Sequence, residues 1–149
     1  MRIIFMGTPT FALPSLEKIY KEHEIISVFT KVDKPNARGK KINFSPIKEF
    51  ALANNLKIYQ PENFKDGSLI EEIRNMQADL IVVVAYGKIL PKEIIDIPKY
   101  GVINLHSSLL PRFRGAAPIN AVIINGDKKS GVSIMYVEEE LDAGAVILQ

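Results

Sequence analysis

The sequence has 149 residues, 47% of them apolar, and a formal net charge of +2 at pH 7, which is typical of one globular domain with a hydrophobic core. It has no cysteine and only two histidines, His23 and His106, so disulfides, thiolate nucleophiles and cysteine-based metal sites are excluded, and no metal site is expected. No segment approaches the roughly 20 apolar residues of a membrane span and no secretory leader precedes the first strand, so we expect a cytoplasmic protein without membrane attachment.

The first part of the chain is predicted to alternate between buried strands and helices. Apolar runs of strand length predict strands at residues 3–6, 25–30 and 56–59. Helical spacing of apolar residues predicts helices at residues 11–21 and 46–54. Ser45 followed by Pro46 is a typical helix start, because serine caps the N-terminus and proline suits the first turn. Residues 31–44 lose the apolar periodicity and contain Pro35 and Gly39, which predicts a loop.

The rest of the chain continues this alternation. Strands are predicted at residues 79–85, 102–105, 131–137 and 145–148, and helices at residues 67–76 and 116–125. The β-branched run within residues 79–85 favours a central parallel strand that is buried on both faces. The pattern as a whole predicts a doubly wound, mostly parallel α/β sheet with helices on both faces and right-handed crossovers.

Three short motifs follow predicted strands, at the ends where such sheets bind ligands. Gly7-Thr8, Ala85-Tyr-Gly87 and the pair Asn104 and His106 are therefore expected to meet at one crevice. Asn104 and His106 are two residues apart in a strand, so they project from one face while Leu105 projects from the other. An amide beside an imidazole suits chemistry on a carbonyl, because the amide can polarise the oxygen and the imidazole can move a proton near neutral pH. A turn-forming asparagine and a structural histidine are the alternative.

The glycine after the first strand suggests a nucleotide-binding loop, but the rest of that pattern is missing. Gly7-Thr-Pro9 is not followed by the second and third glycines of a dinucleotide fingerprint, and the chain has no Gly-Lys-Ser/Thr phosphate loop. A nicotinamide-binding domain is therefore disfavoured.

Positive charge is concentrated in one segment of the sequence. Residues 31–48 contain six basic side chains and one acidic side chain, which leaves the remainder of the chain with a net charge of −3. Arg38, Lys40 and Lys41 form the centre of this segment. Such a cluster is either a phosphate-facing patch or an ordinary solvated surface.

Several separated motifs resemble the signature of the folate-dependent formyltransferases. They are Asn104-Leu-His106, Ser108-Leu-Leu-Pro111, Arg114-Gly-Ala-Ala-Pro118 and Leu141-Asp-Ala-Gly144. Three further stretches are most similar to the members that formylate initiator methionyl-tRNA, namely Arg2–Pro9, Gly39–Lys41 and Ser45–Lys48. The resemblance covers essentially all 149 residues, and it implies a Rossmann-like formyltransferase fold.

The resemblance implies a role for each residue of the central motifs. Asn104 and His106 would stabilise a tetrahedral oxyanion, and Asp142 would orient His106, stabilise its imidazolium form and take part in proton relay. Without the resemblance, Asp142 would be interpreted as a turn residue before a glycine. The formyl donor would be 10-formyltetrahydrofolate, with no metal and no covalent enzyme intermediate. Folate contacts would come from two stretches, through Ala85, Tyr86, Gly87, Ile89, Ser108, Leu109, Leu110 and Pro111.

The resemblance also implies a partner and a domain organisation. Arg38, Lys40 and Lys41 would contact the acceptor end of initiator methionyl-tRNA, and the protein would act as a monomer. Residues 1–149 would form the catalytic domain without its last elements, and the small C-terminal β-barrel of the family would lie outside them. Three alternatives stay open: formyl transfer to an amino sugar, transfer to glycinamide ribonucleotide, or a folate- or RNA-binding module without turnover.

Overall fold

The computed structural model of the chain describes residues 1–35 and 42–149. Its strands are β1 (Arg2–Gly7), β2 (Glu24–Phe29), β3 (Lys34–Pro35), β4 (Ile42–Asn43), β5 (Ile58–Tyr59), β6 (Leu80–Val84), β7 (Val102–His106), β8 (Ser133–Tyr136) and β9 (Val146–Leu148). Its helices are α1 (Leu13–Glu22), α2 (Pro46–Ala53), α3 (Gly67–Asn75), α4 (Lys92–Ile95) and α5 (Pro118–Ile124), with a 3-10 turn at Thr10–Ala12 before α1.

One sheet of seven strands forms the centre of the molecule, in the order β5-β2-β1-β6-β7-β8-β9. The strands from β5 to β7 are parallel, whereas β8 is antiparallel to β7 and β9 is antiparallel to β8. The chain moves from β1 to β2 and β5 on one side, and then returns to β6 on the other side of β1. This topology confirms the predicted doubly wound, mostly parallel sheet. It also places the carboxyl ends of β1, β6 and β7 at one edge, where ligands bind in such sheets.

The alternation of side chains along β1 shows how both faces of the sheet are covered. Phe5 is buried in a core that includes Leu16 of α1 and Ile47 of α2. Met6 points the other way, into a second core with Ile73 of α3. Because successive strand residues point to opposite faces, one apolar run supplies both cores. Each such side chain contributes about 1.5–3 kcal/mol when it is fully buried.

Two features of the structure differ from the expectations from sequence. Helix α4 was not predicted, because four residues are too short to establish a helical period. The loop predicted for residues 31–44 contains two short strands at its ends. Lys34 pairs with Asn43 and Pro35 pairs with Ile42, so an antiparallel ladder joins the two flanks of residues 36–41.

The helices of the described residues are all too short or too polar to cross a lipid bilayer.

Candidate active site

Strand β7 delivers two polar side chains to the carboxyl edge of the sheet. Asn104 lies between Val83 of β6 and Met135 of β8, and His106 lies opposite Ser133 of β8. Leu105 packs on the opposite face of the sheet, against the core that contains Phe5. The two-residue spacing in a strand therefore puts the amide and the imidazole on the same side.

The His106 ring is buried, with only 6% of its surface exposed, and its two nitrogens have different neighbours. Nε2 donates a hydrogen bond of 2.9 Å to the backbone carbonyl of Phe113. Nδ1 lies 3.7 Å from Oδ1 of Asp142, which is an ion-pair distance but too long for a direct hydrogen bond. Nε2 is thus hydrogen-bonded to the backbone, and Nδ1 faces the Asp142 carboxylate.

Asp142 comes from a separate loop that begins after β8. Its backbone has a positive φ of 50°, which is uncommon for a residue other than glycine, and its side chain is 9% exposed. Oδ2 accepts a hydrogen bond of 2.8 Å from the backbone N–H of Gly115. Close by, Arg114 donates to the Leu141 carbonyl at 2.8 Å. The loop that follows β7 is thereby joined to the loop that carries Asp142.

The three residues that the sequence singled out line one cavity of about 460 Å³. This volume lies within the range of about 300–1,000 Å³ that is usual for small-molecule sites. Asn104, His106 and Asp142 form one part of its wall. An amide, an imidazole and a carboxylate around one cavity can polarise a carbonyl oxygen and move a proton.

The segment after β6 forms another part of the cavity wall. Ala85, Tyr86, Gly87 and Ile89 all line the cavity, and Ile89 is 82% exposed. Ala85 and Gly87 both have positive φ, so the chain turns sharply here and presents backbone groups. A Cβ at Gly87 would lie 2.4 Å from Nζ of Lys31, so this position has no room for a side chain unless the lysine moves.

Tyr86 also belongs to this wall, but its side chain is buried in the core. Its side chain is 1% exposed and belongs to the core, with its ring centre 6.2 Å from that of Phe64. Burial raises the pKa of the Tyr86 phenol, and the hydroxyl has no hydrogen-bond partner among the described residues. A phenol in this position anchors the segment to the core, while the backbone of Tyr86 remains near the cavity.

The stretch from Ser108 to Pro111 lies beside the cavity, and none of its four residues is among the described residues that line it. Ser108 and Leu110 are buried, whereas Leu109 is 42% exposed. The hydroxyl of Ser108 donates to the Arg112 carbonyl at 2.7 Å. The predicted folate contacts of Ser108, Leu109, Leu110 and Pro111 therefore remain predictions.

Ser133 is a residue whose importance the sequence did not indicate. It is fully buried on β8, and its hydroxyl donates to the Ser108 carbonyl at 2.7 Å. The same oxygen accepts from the backbone N–H of Leu110 at 3.0 Å and from the side chain of Gln149 at 3.0 Å. The only available signal was a serine within a strand that is otherwise apolar. Ser133 holds the loop after β7 against the sheet.

The predicted tRNA contacts Arg38, Lys40 and Lys41 lie outside the described residues. The residues that flank them are anchored to the body of the protein. Lys48 forms an ion pair with Asp33, and it also donates to Oε1 of Gln60 at 2.8 Å.

The Asp33–Lys48 pair joins the two flanks of the basic segment. Both side chains are mostly buried, at 19% and 14% exposed. The hydrogen bond from Lys48 holds the pKa of Asp33 below its ordinary value, and a second hydrogen bond from Gln60 acts in the same direction. At the start of α2, the Ser45 hydroxyl accepts from the Lys48 backbone N–H at 3.0 Å, as predicted for an N-cap.

Within residues 1–35 and 42–149, no group of three or more histidine or acidic side chains could hold a metal ion. The groups that the described residues bring to the cavity are an amide, an imidazole, a carboxylate and backbone groups.

Comparison with known proteins identifies the family of the chain. A family model described as formyl transferase matches residues 1–149. The chain is 93% identical over 149 residues to the methionyl-tRNA formyltransferase of Fusobacterium nucleatum subsp. nucleatum, covering 100% of this chain and 48% of that protein. It is 55% identical over 150 residues to the protein of the same name from Alkaliphilus oremlandii, again covering 100% of this chain and 48% of the relative. The chain spans about half the length of the curated relatives it matches.

Solved structures share the fold. Phosphoribosylglycinamide formyltransferase from Bacillus halodurans superimposes with a TM-score of 0.77 at 21% identity, over 99% of this chain and 77% of that one. A formyltetrahydrofolate deformylase from Pseudomonas syringae pv. tomato superimposes with a TM-score of 0.75 at 26% identity, over 98% of this chain and 49% of that one. These structures share the sheet topology at identities that establish the fold alone.

Proposed function

We propose that this chain, which belongs to the formyl transferase family, carries the catalytic site of an enzyme that transfers a formyl group from 10-formyltetrahydrofolate to the amino group of initiator methionyl-tRNA. The observation that carries the proposal is the convergence of Asn104 and His106, from the end of β7, and Asp142, from a loop far along the sequence, on one cavity. The identity of 93% to a methionyl-tRNA formyltransferase supports this choice of acceptor.

The reaction proceeds by direct attack of the acceptor amine on the formyl carbon. A carbon–nitrogen bond forms to the amine, the carbonyl oxygen becomes an oxyanion, and the bond to the folate nitrogen then breaks. The Asn104 amide donates a hydrogen bond to the oxyanion. The attacking amine loses a proton and the leaving nitrogen gains one, so a group that accepts and then returns a proton suffices.

His106 and Asp142 supply that proton transfer. The Nδ1 atom of His106 is the ring nitrogen that the Phe113 carbonyl does not occupy. Asp142 Oδ1 lies 3.7 Å from it, close enough to stabilise a transient imidazolium. The burial of both groups strengthens this interaction, because charges are screened less in the protein interior than in bulk water.

The wall formed by residues 85–89 supports binding of the formyl donor. Backbone amides and carbonyls exposed at a turn can pair with the polar edge of a pterin ring, and the absence of a side chain at Gly87 permits close approach of a flat ring. Ile89 offers exposed apolar surface beside it. The residues of this wall thus fit a folate.

The acceptor is held outside the cavity by electrostatic contacts. Arg38, Lys40 and Lys41 bind phosphates near the acceptor end of the tRNA, and the Asp33–Lys48 pair anchors the flanks of that segment. The enzyme acts as a monomer in the cytoplasm.

Transfer of labelled formyl from 10-formyltetrahydrofolate to charged initiator tRNA tests the proposal directly. Protein of this sequence should form formyl-methionyl-tRNA, and Asn104→Ala should lower kcat by about 100–1,000-fold, as expected for loss of one oxyanion donor. His106→Asn should also remove most activity. Glycinamide ribonucleotide and an amino sugar serve as competing acceptors. Faster formylation of either one would assign the site to that acceptor, and folate binding without transfer to any acceptor would identify a binding module.

A further inference from the structure

We propose that Phe113 is a positioning residue whose backbone carbonyl fixes His106 in the Nε2–H tautomer and thereby makes Nδ1 the nitrogen that exchanges protons. The tautomer follows from the structure, and only its catalytic consequence rests on the proposed function. A carbonyl oxygen has no hydrogen to donate, so the contact of 2.9 Å requires a hydrogen on Nε2. This hydrogen is present whether the ring is neutral or charged, and only Nδ1 is left to change its protonation.

The backbone conformation of Phe113 is what aims this carbonyl at the ring. Its φ of +58° lies in the left-handed region, which is sterically unfavourable for residues with a Cβ. The Phe113 side chain has a different neighbour: the Arg112 guanidinium lies 4.7 Å from the centre of its ring. The contact with His106 thus depends on the backbone angle at residue 113 and not on the aromatic group.

The surrounding hydrogen bonds hold Phe113 in this conformation. The Ser108 hydroxyl donates to the preceding carbonyl, that of Arg112, at 2.7 Å, and it lies 3.5 Å from the Phe113 carbonyl itself. Two residues further on, the N–H of Gly115 donates to Asp142. The short segment 112–115 therefore contacts both the imidazole and the carboxylate, and it sets the distance between them.

With Nε2 bonded to Phe113, the proton of the acceptor amine passes through Nδ1 of His106 to the leaving nitrogen. In the neutral ring, Nδ1 carries a lone pair and lies 3.7 Å from Oδ1 of Asp142, and both residues line the cavity. When the acceptor amine attacks, its N–H bond breaks and an N–H bond forms at Nδ1. When the carbon–nitrogen bond to the leaving group breaks, the Nδ1–H bond breaks and the proton moves to the leaving nitrogen. The ring ends neutral, as it began, with Nε2–H bonded to Phe113 throughout.

Two substitutions separate the backbone angle from the side chain. Phe113→Asn and Phe113→Val both remove the aromatic ring and its contact with Arg112. Asparagine is enriched in the left-handed region, whereas β-branched valine strongly disfavours it. Only the valine variant should therefore release the carbonyl from His106. Thermal unfolding of both variants establishes that each is folded.

Long-range proton–nitrogen spectra of histidine-labelled protein measure the tautomer directly. At about pH 9, where ordinary imidazoles are neutral, His106 should show a protonated Nε2 in the wild type and in Phe113→Asn. Phe113→Val should show mixed tautomers, like the exposed His23, and its kcat should fall by about 100-fold with the KM for the formyl donor unchanged. A protonated Nδ1 in the wild type, or equal spectra and kcat values for the two variants, would overturn the proposal.

The spectra test the tautomer of His106 independently of the proposed function. A wild-type protein that shows the Nε2–H tautomer but transfers no formyl group to tRNA would contradict the function and leave the tautomer assignment intact. If Phe113→Val does not fold, the wild-type and Phe113→Asn spectra still decide the assignment.

Discussion

The backbone N–H of Gly115 donates a hydrogen bond of 2.8 Å to Oδ2 of Asp142, and this contact joins two loops whose residues are 27 positions apart. It leaves Oδ1 of the same carboxylate directed at His106, 3.7 Å from Nδ1. One oxygen therefore fixes the orientation of the carboxylate and the other is available to the imidazole. The site is assembled by backbone groups of one loop that bind the functional side chain of another.

Replacing Asp142 by asparagine separates these two functions of the carboxylate. An amide oxygen can still accept from Gly115, so the loop should keep its position, but the negative charge beside His106 is lost. We expect kcat to fall by about 100- to 10,000-fold with little change in the KM for the formyl donor. Steady-state kinetics and thermal unfolding of Asp142→Asn measure both effects. Asp96→Asn, which removes an exposed carboxylate directly after α4, is the control. Equal losses in the two variants would contradict the assignment.

Gly144 allows the loop that carries Asp142 to lie against β8. A Cβ at this position would lie 2.0 Å from the backbone carbonyl oxygen of Tyr136, so Gly144→Ala must displace the loop. We expect the free energy of unfolding to fall by about 1–3 kcal/mol, as for other overpacked sites, and kcat to fall as well because Asp142 moves. Denaturant unfolding and steady-state kinetics are the measurements.

Gly67→Ala provides a matched control for that substitution. Gly67 lies at the start of α3, and a Cβ there would have no heavy atom within 4 Å. Because alanine is the better helix former, this variant should be at least as stable as the wild type and equally active. If Gly144→Ala matched it in stability and in kcat, close contact with β8 would not be what positions the loop.

The ion pair between Asp33 and Lys48 should make stability depend on pH. The hydrogen bond from Lys48 lowers the pKa of Asp33 in the folded protein below its unfolded value. Stabilisation is therefore complete above the unfolded pKa and is lost as the pH falls through the folded pKa. We expect Asp33→Asn to cost about 1–3 kcal/mol at neutral pH. This difference should shrink progressively below about pH 4.

Urea unfolding of the wild type and Asp33→Asn at several pH values measures this dependence. Glu17→Gln, at an exposed position on α1, controls for the loss of a surface carboxylate. A difference between the wild type and Asp33→Asn that stays constant down to acidic pH would show that the charge of Asp33 does not contribute.

The basic segment should affect use of tRNA and leave folate binding unchanged. Simultaneous substitution of Arg38, Lys40 and Lys41 by alanine should raise the KM for methionyl-tRNA. The slope of log affinity against log salt concentration should become shallower by about 0.7 for each phosphate that the protein no longer neutralises. The Kd of the formyl donor should not change, because its cavity wall is formed by other elements.

A variant with the same change in net charge provides the comparison. It replaces three lysines that are exposed elsewhere on the molecule, Lys65, Lys128 and Lys129. If tRNA use falls equally in both variants, net charge and not this segment governs the interaction.

The linear order of side chains determined the architecture of this protein. Buried strands such as β6 are recognisable because period and branching are local properties of consecutive residues. The same local rule put Asn104 and His106 on one face of β7, and the motifs around them identified the family. The N-cap of α2 at Ser45 was equally visible, since a cap involves only residues within one turn.

Only the tertiary structure decided how the site is assembled. The approach of Asp142 to His106, the hydrogen bond from His106 to Phe113 and the anchoring by Ser133 all join residues through loop backbones with no periodic signal. Positive φ angles at Phe113 and Asp142 are unfavourable for the isolated residues and persist because surrounding hydrogen bonds select them. The residue types of the site are therefore encoded locally, whereas its distances and the tautomer of its histidine are set by contacts that exist only after the chain has folded.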